Sequence, residues 1–91
     1  MVREGSEEAF IEAWTAFIEW SLENAEGGES FVLVRNTEEP REFRSLGAWE
    51  SQEAQEAWRE MPRMQVMLGQ CRALCDEFDT HRYTLAASPG H

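Results

Sequence analysis

The residues that most readily invite chemistry by type and spacing are two cysteines, Cys71 and Cys75, four positions apart. On a helix they share a face, but adjacent turns make a relaxed disulfide hard to close. As metal ligands they lack companions, because a tetrahedral site needs four donors and only His81 lies near them in the chain. Two such thiols in a reducing compartment behave as small hydrophobes, so core packing is the expected role, with a redox pair and a metal site as the alternatives. The acid pair Glu38-Glu39 falls beside Pro40 in a polar turn and reads as solvated. The chain has no Gly-rich phosphate loop and no nucleophile motif.

Charge narrows the partners. Eighteen acidic side chains face eight basic ones, all Arg, for a net charge of −10. Such a field repels phosphate backbones and anionic headgroups, so neither nucleic acid nor a membrane surface is an expected partner. The longest apolar run, Phe31 to Val34, falls far short of the ~20 residues that span a bilayer. With no signal peptide visible, a cytoplasmic protein is expected. Ninety-one residues make one domain, with a core at about 4–87 and a tail at 88–91.

The elements that must position any site follow from periodicity. Ser6, followed by Glu7 and Glu8, reads as an N-cap with acid in the first turn. Phe10, Ala13, Trp14, Phe17, Ile18 and Leu22 then recur at three- and four-residue spacing, which predicts an amphipathic helix of about 18 residues. Gly27-Gly28 stop it. A strand is predicted over Ser30 to Asn36, a turn over Asn36 to Pro40, and an antiparallel partner strand over about Glu42 to Glu50. Ser51 caps a further helix that Met61-Pro62 interrupt and that resumes from Met64 to Phe78. A last strand is predicted over about Thr80 to Ala87.

In the second strand Phe43, Ser45, Gly47 and Trp49 share one face, and Arg44, Leu46 and Ala48 the other. Neither face is purely polar, so a single helix layer leaves one apolar face without cover. A chain this short buries only about 60–65% of its unfolded surface, yet it carries four Trp, five Phe and four Met. Both facts point to a homodimer. The order helix, strand, strand, helix, strand becomes the ferredoxin-like βαββαβ once a strand precedes Ser6, and only Met1 to Gly5 are available for it. The fold class expected is therefore α+β, with a short or missing first strand.

Glu8 to Trp20, Leu46-Gly-Ala-Trp-Glu-Ser51, Glu56-Ala-Trp58-Arg-Glu-Met-Pro62, and Cys75-Asp-Glu-Phe78 ahead of Tyr83-Thr-Leu85 together resemble the antibiotic biosynthesis monooxygenase family. The resemblance runs from about Glu4 to Ala87 and is more specific for fold than for activity. It implies a dimeric α/β barrel, in which two sheets pack face to face with helices outside. Members of the family begin with a full strand upstream of the position of Val2; three explanations are open, a true start upstream of Met1, which is favoured, a strand supplied by other means, or a domain that runs with three strands.

Enzymatic members of that family oxidise electron-rich polycyclic phenols or anthrones with molecular oxygen, using neither metal nor flavin. The resemblance thus implies no cofactor and a small aromatic ligand held between helices and sheet. Trp58 matches the Trp that lines the family's pocket, and it is the expected stacking residue, with His81 and Tyr83 as polar catalytic candidates. Trp49, Phe17 and Met64, with Met67 beside them, complete an apolar wall, and Arg44 or Arg35 orients the substrate. Each has a structural reading too: core for Trp58 and Trp49, core or dimer interface for Tyr83, surface for His81, carboxylate partners for the arginines.

Two departures bear on the chemistry. Ala54 stands where polyketide-oxidising members carry an Asn, and Leu68 stands where haem-degrading relatives carry their ligand His. The expected function is a cofactor-independent monooxygenase-like protein that oxidises or binds a polycyclic aromatic or quinol. The alternative is a non-catalytic dimeric binding or accessory module of the same fold.

Overall fold

A computed structural model describes residues 1–84, 86, 87 and 89. Helix α1 (Glu7–Asn24) buries Phe10, Phe17, Ile18 and Ser21 along one stripe, the three- and four-residue spacing seen in the sequence. Ser6 precedes it, but its side chain makes no cap; its carbonyl accepts from Phe10 N at 2.9 Å instead. Gly27, at φ +86°, turns the chain out of α1 in the left-handed region, where a side chain is strained. Its carbonyl then accepts from Glu50 N at 2.6 Å, tying the start of the hairpin to its end.

Strands β1 (Gly28–Arg35) and β2 (Phe43–Trp49) pair antiparallel, Phe31 opposite Gly47, Leu33 opposite Ser45 and Arg35 opposite Phe43, with a bulge between Gly28 and Ser30. The connecting turn is shaped by Asn36, whose side-chain oxygen accepts from Glu38 N at 2.8 Å and whose amide donates to Glu42 Oε2 at 2.7 Å. Helix α2 (Gln52–Arg59) starts as expected, Ser51 Oγ accepting from Ala54 N at 3.1 Å. Met61 is extended at ψ 125° ahead of Pro62, which opens α3 (Pro62–Arg72).

Two expectations need correcting, and the short or missing first strand is found as expected. The resumed helix stops at Arg72 rather than at Phe78; Ala73 and Leu74 turn, and Cys75 forms an isolated antiparallel bridge with Val2. That bridge is all that stands for a first strand. Val2, 1% exposed, donates its N–H to Arg41 O at 2.8 Å, just ahead of β2, and Arg3 donates to Leu74 O at 2.9 Å. The last strand is not formed over residues 80–84, 86 and 87, and Leu85 lies outside the described residues. A strand needs a neighbour for its ladder, and a single rung at Val2 offers almost none. The chain instead packs Phe78 on the core and pairs Arg82 with Glu56 of α2 at 3.6 Å.

The result is an α+β domain of ferredoxin-like type in which a two-stranded antiparallel sheet is backed by three helices. Val2, Phe10, Phe17, Ile18, Met64, Met67 and Cys71 form the core between the layers. The molecule measures 36 × 35 × 19 Å. Its short dimension matches one helix layer on one sheet, roughly 20 Å. Accordingly the far face of the hairpin is open: Val32, Val34 and Leu46 are 50%, 45% and 53% exposed, beside exposed Ser30, Arg44 and Ala48. No described helix is long and apolar enough to cross a membrane.

Gly47 is the tightest point of the sheet. A Cβ there lies 2.6 Å from two atoms of the Phe31 ring, which spreads over it from the opposing strand. Gly47→Ala should therefore displace Phe31 and destabilise the fold by about 1–3 kcal/mol, read as a lower urea midpoint at unchanged m-value.

Candidate functional site

Four aromatic rings link the helices to the sheet. Phe17 of α1 stacks on Trp58 of α2 with centroids 5.6 Å apart, and Trp58 tilts against Trp49 of β2 at 4.9 Å. Trp49 in turn meets Phe31 of β1 edge-on at 5.4 Å. Trp58 is anchored at its polar end as well, because its Nε1–H donates to the buried hydroxyl of Ser21 at 2.8 Å. Met64 is buried in the same core. Phe17, Trp49, Trp58 and Met64 are thus brought together, but as packed rings and sulfur rather than as the walls of an open space.

The space is next door, where α1 crosses the other half of the hairpin. A groove of about 480 Å³ opens between Ile11, Trp14 and Thr15 of α1 and Phe31, Val32, Leu33 and Arg35 of β1, with Phe43 of β2 at its end. Helical spacing places Ile11, Trp14 and Thr15 on one side of α1, and the strand period places Phe31, Leu33 and Arg35 on the helix-facing side of β1. Trp14 is held by its Nε1–H, which donates to Ser45 Oγ at 2.8 Å, and Phe43 rests against Phe10 at 5.2 Å. The Arg35 guanidinium carbon sits 4.5 Å from the Phe43 centroid. Thr15 donates its hydroxyl proton to Ile11 O at 2.7 Å, which leaves it lone pairs to offer a ligand. Chemically the groove can hold a flat apolar ring and one polar substituent at either side. Phe31 lines it and also touches Trp49, so groove and aromatic stack share a wall.

The remaining expected residues lie elsewhere. Arg44 pairs with Val34 and falls on the open face of the sheet, away from Trp58, because strand residues alternate. His81 and Tyr83 sit 6.2 Å apart on the segment after Phe78, exposed, Tyr83 by 80%. Cys71 is 2% exposed and Cys75 donates its thiol to Cys71 O at 3.5 Å, the packing role expected for both. Burial pushes the Cys71 thiol up to about 11, with Cys75 adding to the rise, and burial raises Cys75 too, so neither is a ready thiolate. No cluster of three or more His, Cys, Asp or Glu suited to a metal occurs among the described residues.

Trp14, Phe43 and Ser45 were the residues that sequence reasoning passed over as site candidates. Their signal was present in two halves: Trp14 on the apolar stripe of α1, and Phe43 and Ser45 on one face of β2. Only the packing of α1 across the hairpin joins them.

With helix layer, hairpin and groove in place, the class is that of a small ferredoxin-like α+β domain with an aromatic cleft under its first helix. The chain belongs to the antibiotic biosynthesis monooxygenase family, whose model matches residues 1–70. A comparison with curated protein sequences found no match. The matched residues include the aromatic stack and the whole groove, whereas Cys71 to Phe78, His81 and Tyr83 lie beyond them.

The Trp58–Ser21 bond can be tested apart from any ligand. Ser21→Ala leaves a partly buried indole N–H without its acceptor and should cost about 1–3 kcal/mol of stability, measured by chemical denaturation with Trp fluorescence.

Proposed function

We propose that this protein is a monooxygenase-like homodimer that receives a planar, electron-rich aromatic of the polycyclic phenol or quinol type in the groove under α1. Molecular oxygen is the oxidant, and neither metal nor flavin takes part. The observation that carries the reading is the groove itself, walled by Trp14, Phe31 and Phe43 in a chain of this family. Apolar clefts with aromatic walls and few polar groups suit such ligands. The dimer is supported by the open apolar face of Val32, Val34, Leu46 and Ala48, a surface that monomers rarely leave in water.

A second reading, a non-catalytic binding or accessory module, is favoured by one specific observation. The groove has Arg35 as its only ionisable lining residue, so no side chain there is placed to take a proton from a phenol. Ala54 and Leu68, at positions where relatives carry polar groups, point the same way.

Oxygen uptake with an anthrone or quinol, measured beside quenching of Trp fluorescence, separates the readings. Accelerated uptake that falls at least ~10-fold in kcat/KM on Trp14→Ala supports the oxygenase. Saturable quenching without uptake supports the binding module, and neither signal overturns both. In the same preparation, Leu46→Glu should convert a dimer on native mass spectrometry into a folded monomer, because it buries a charge at the centre of the proposed interface. A monomeric wild type would remove the dimer from the reading.

A further inference from the structure

This inference rests on the groove being the binding site and specifies what binds there. The groove carries positive charge and no negative charge. Arg35, its one ionisable lining residue, ends β1 on the helix-facing side, and no Asp or Glu joins it there. Among the described residues Arg3, Arg41 and Arg82 have carboxylate partners, whereas Arg35 belongs with Arg44, Arg59, Arg63 and Arg72, which have none; what sets Arg35 apart is its place in the groove. Among the described residues Arg35 makes no ion pair and no hydrogen bond, only the contact with the Phe43 ring at 4.5 Å. Glu42 borders a neighbouring depression with Arg35 and Arg44, and it accepts the Asn36 amide at 2.7 Å.

The position of the guanidinium matters. Its carbon lies 4.5 Å from the Phe43 centroid, which keeps the group at the end of the groove. A guanidinium carries five N–H donors, and its fork matches two oxygens of a carboxylate.

We propose that the groove selects an anionic planar aromatic, an aromatic carboxylate or one bearing a comparable oxyanion, with its ring between Trp14 and the sheet and its charge on Arg35. The negative field of the whole molecule works against anions in general. Selection therefore depends on this one contact and is local.

The test uses 2-naphthoate and its neutral isostere 2-naphthamide as probes of the full-length wild type, Arg35→Gln and Arg35→Lys, with Trp fluorescence as the readout. Since Arg35 is exposed, the wild type should bind naphthoate roughly three- to tenfold tighter than naphthamide. Arg35→Gln should abolish the preference, lowering naphthoate affinity to that of naphthamide, and continued saturable binding of naphthamide shows that the groove has survived; Arg35→Lys should keep part of the preference. Equal affinities in the wild type, or a preference that persists in Arg35→Gln, overturn the charge assignment while the groove stands. If neither probe binds, the groove reading itself is overturned and the proposal with it.

Discussion

A hydroxyl left 1% exposed has to find its partners inside the protein, and Ser21 finds two. It donates to Phe17 O in the preceding turn at 2.8 Å and accepts from Trp58 Nε1, also at 2.8 Å. Trp58 arrives from another helix, so this bond sets how α2 lies against α1. With Trp58 held there, Phe17 has a ring to stack on, Trp49 is caught at the end of β2, and Phe31 is steered over Gly47. Phe31 then forms part of the groove wall. One polar contact at the back of the core thus bears on the shape of the cleft at the other half of the hairpin, through Phe31. Trp58 works as the keystone of that packing, and a ligand in the groove meets its influence through Phe31 and Trp49.

The sheet imposes the second constraint. A two-stranded ribbon is marginal in water and needs a hydrophobic face packed against something. Here α1 and α2 lie against one face, and the other carries Val32, Val34 and Leu46 at about half exposure. The proposed dimer places a second sheet there, about 10 Å away, while the groove opens on the helix side and shares Val32 with that face. Assembly and ligand binding thus use mainly opposite faces of the same hairpin: even residues of β2 face outward, odd ones toward the helices.

Much of this was legible in the residues because its causes are local. The apolar stripe of α1, the Ser51 cap, the break at Pro62, the Asn36 turn and the two faces of β2 each follow from chemistry within a few positions. The last strand was misjudged for the opposite reason, while the short or missing first strand was expected. The segment after Asp79 has its alternation whether or not a neighbour exists, and only the assembled sheet decides whether a ladder forms. The site shows the same division. Trp49, Trp58 and Phe17 do meet, but as rings packed on one another, and the open space fell to Trp14 and Phe43, which are 29 residues apart in sequence.

Charge connects site and surface. At −10 the protein carries a field that lowers the local concentration of any anion, over a range of about 8–10 Å at ordinary ionic strength. The contact proposed at Arg35 acts at hydrogen-bond distance. Salt weakens both, but it removes the distant repulsion first, since that has the longest reach through water. The two effects therefore pull the salt dependence of anion binding in opposite directions, whereas a neutral ring feels neither. Comparing the charged and the uncharged ring on one protein cancels the shared cost of burying the ring in the groove. The difference that remains is the sum of a general repulsion and one local attraction, and only the second depends on which residue stands at position 35.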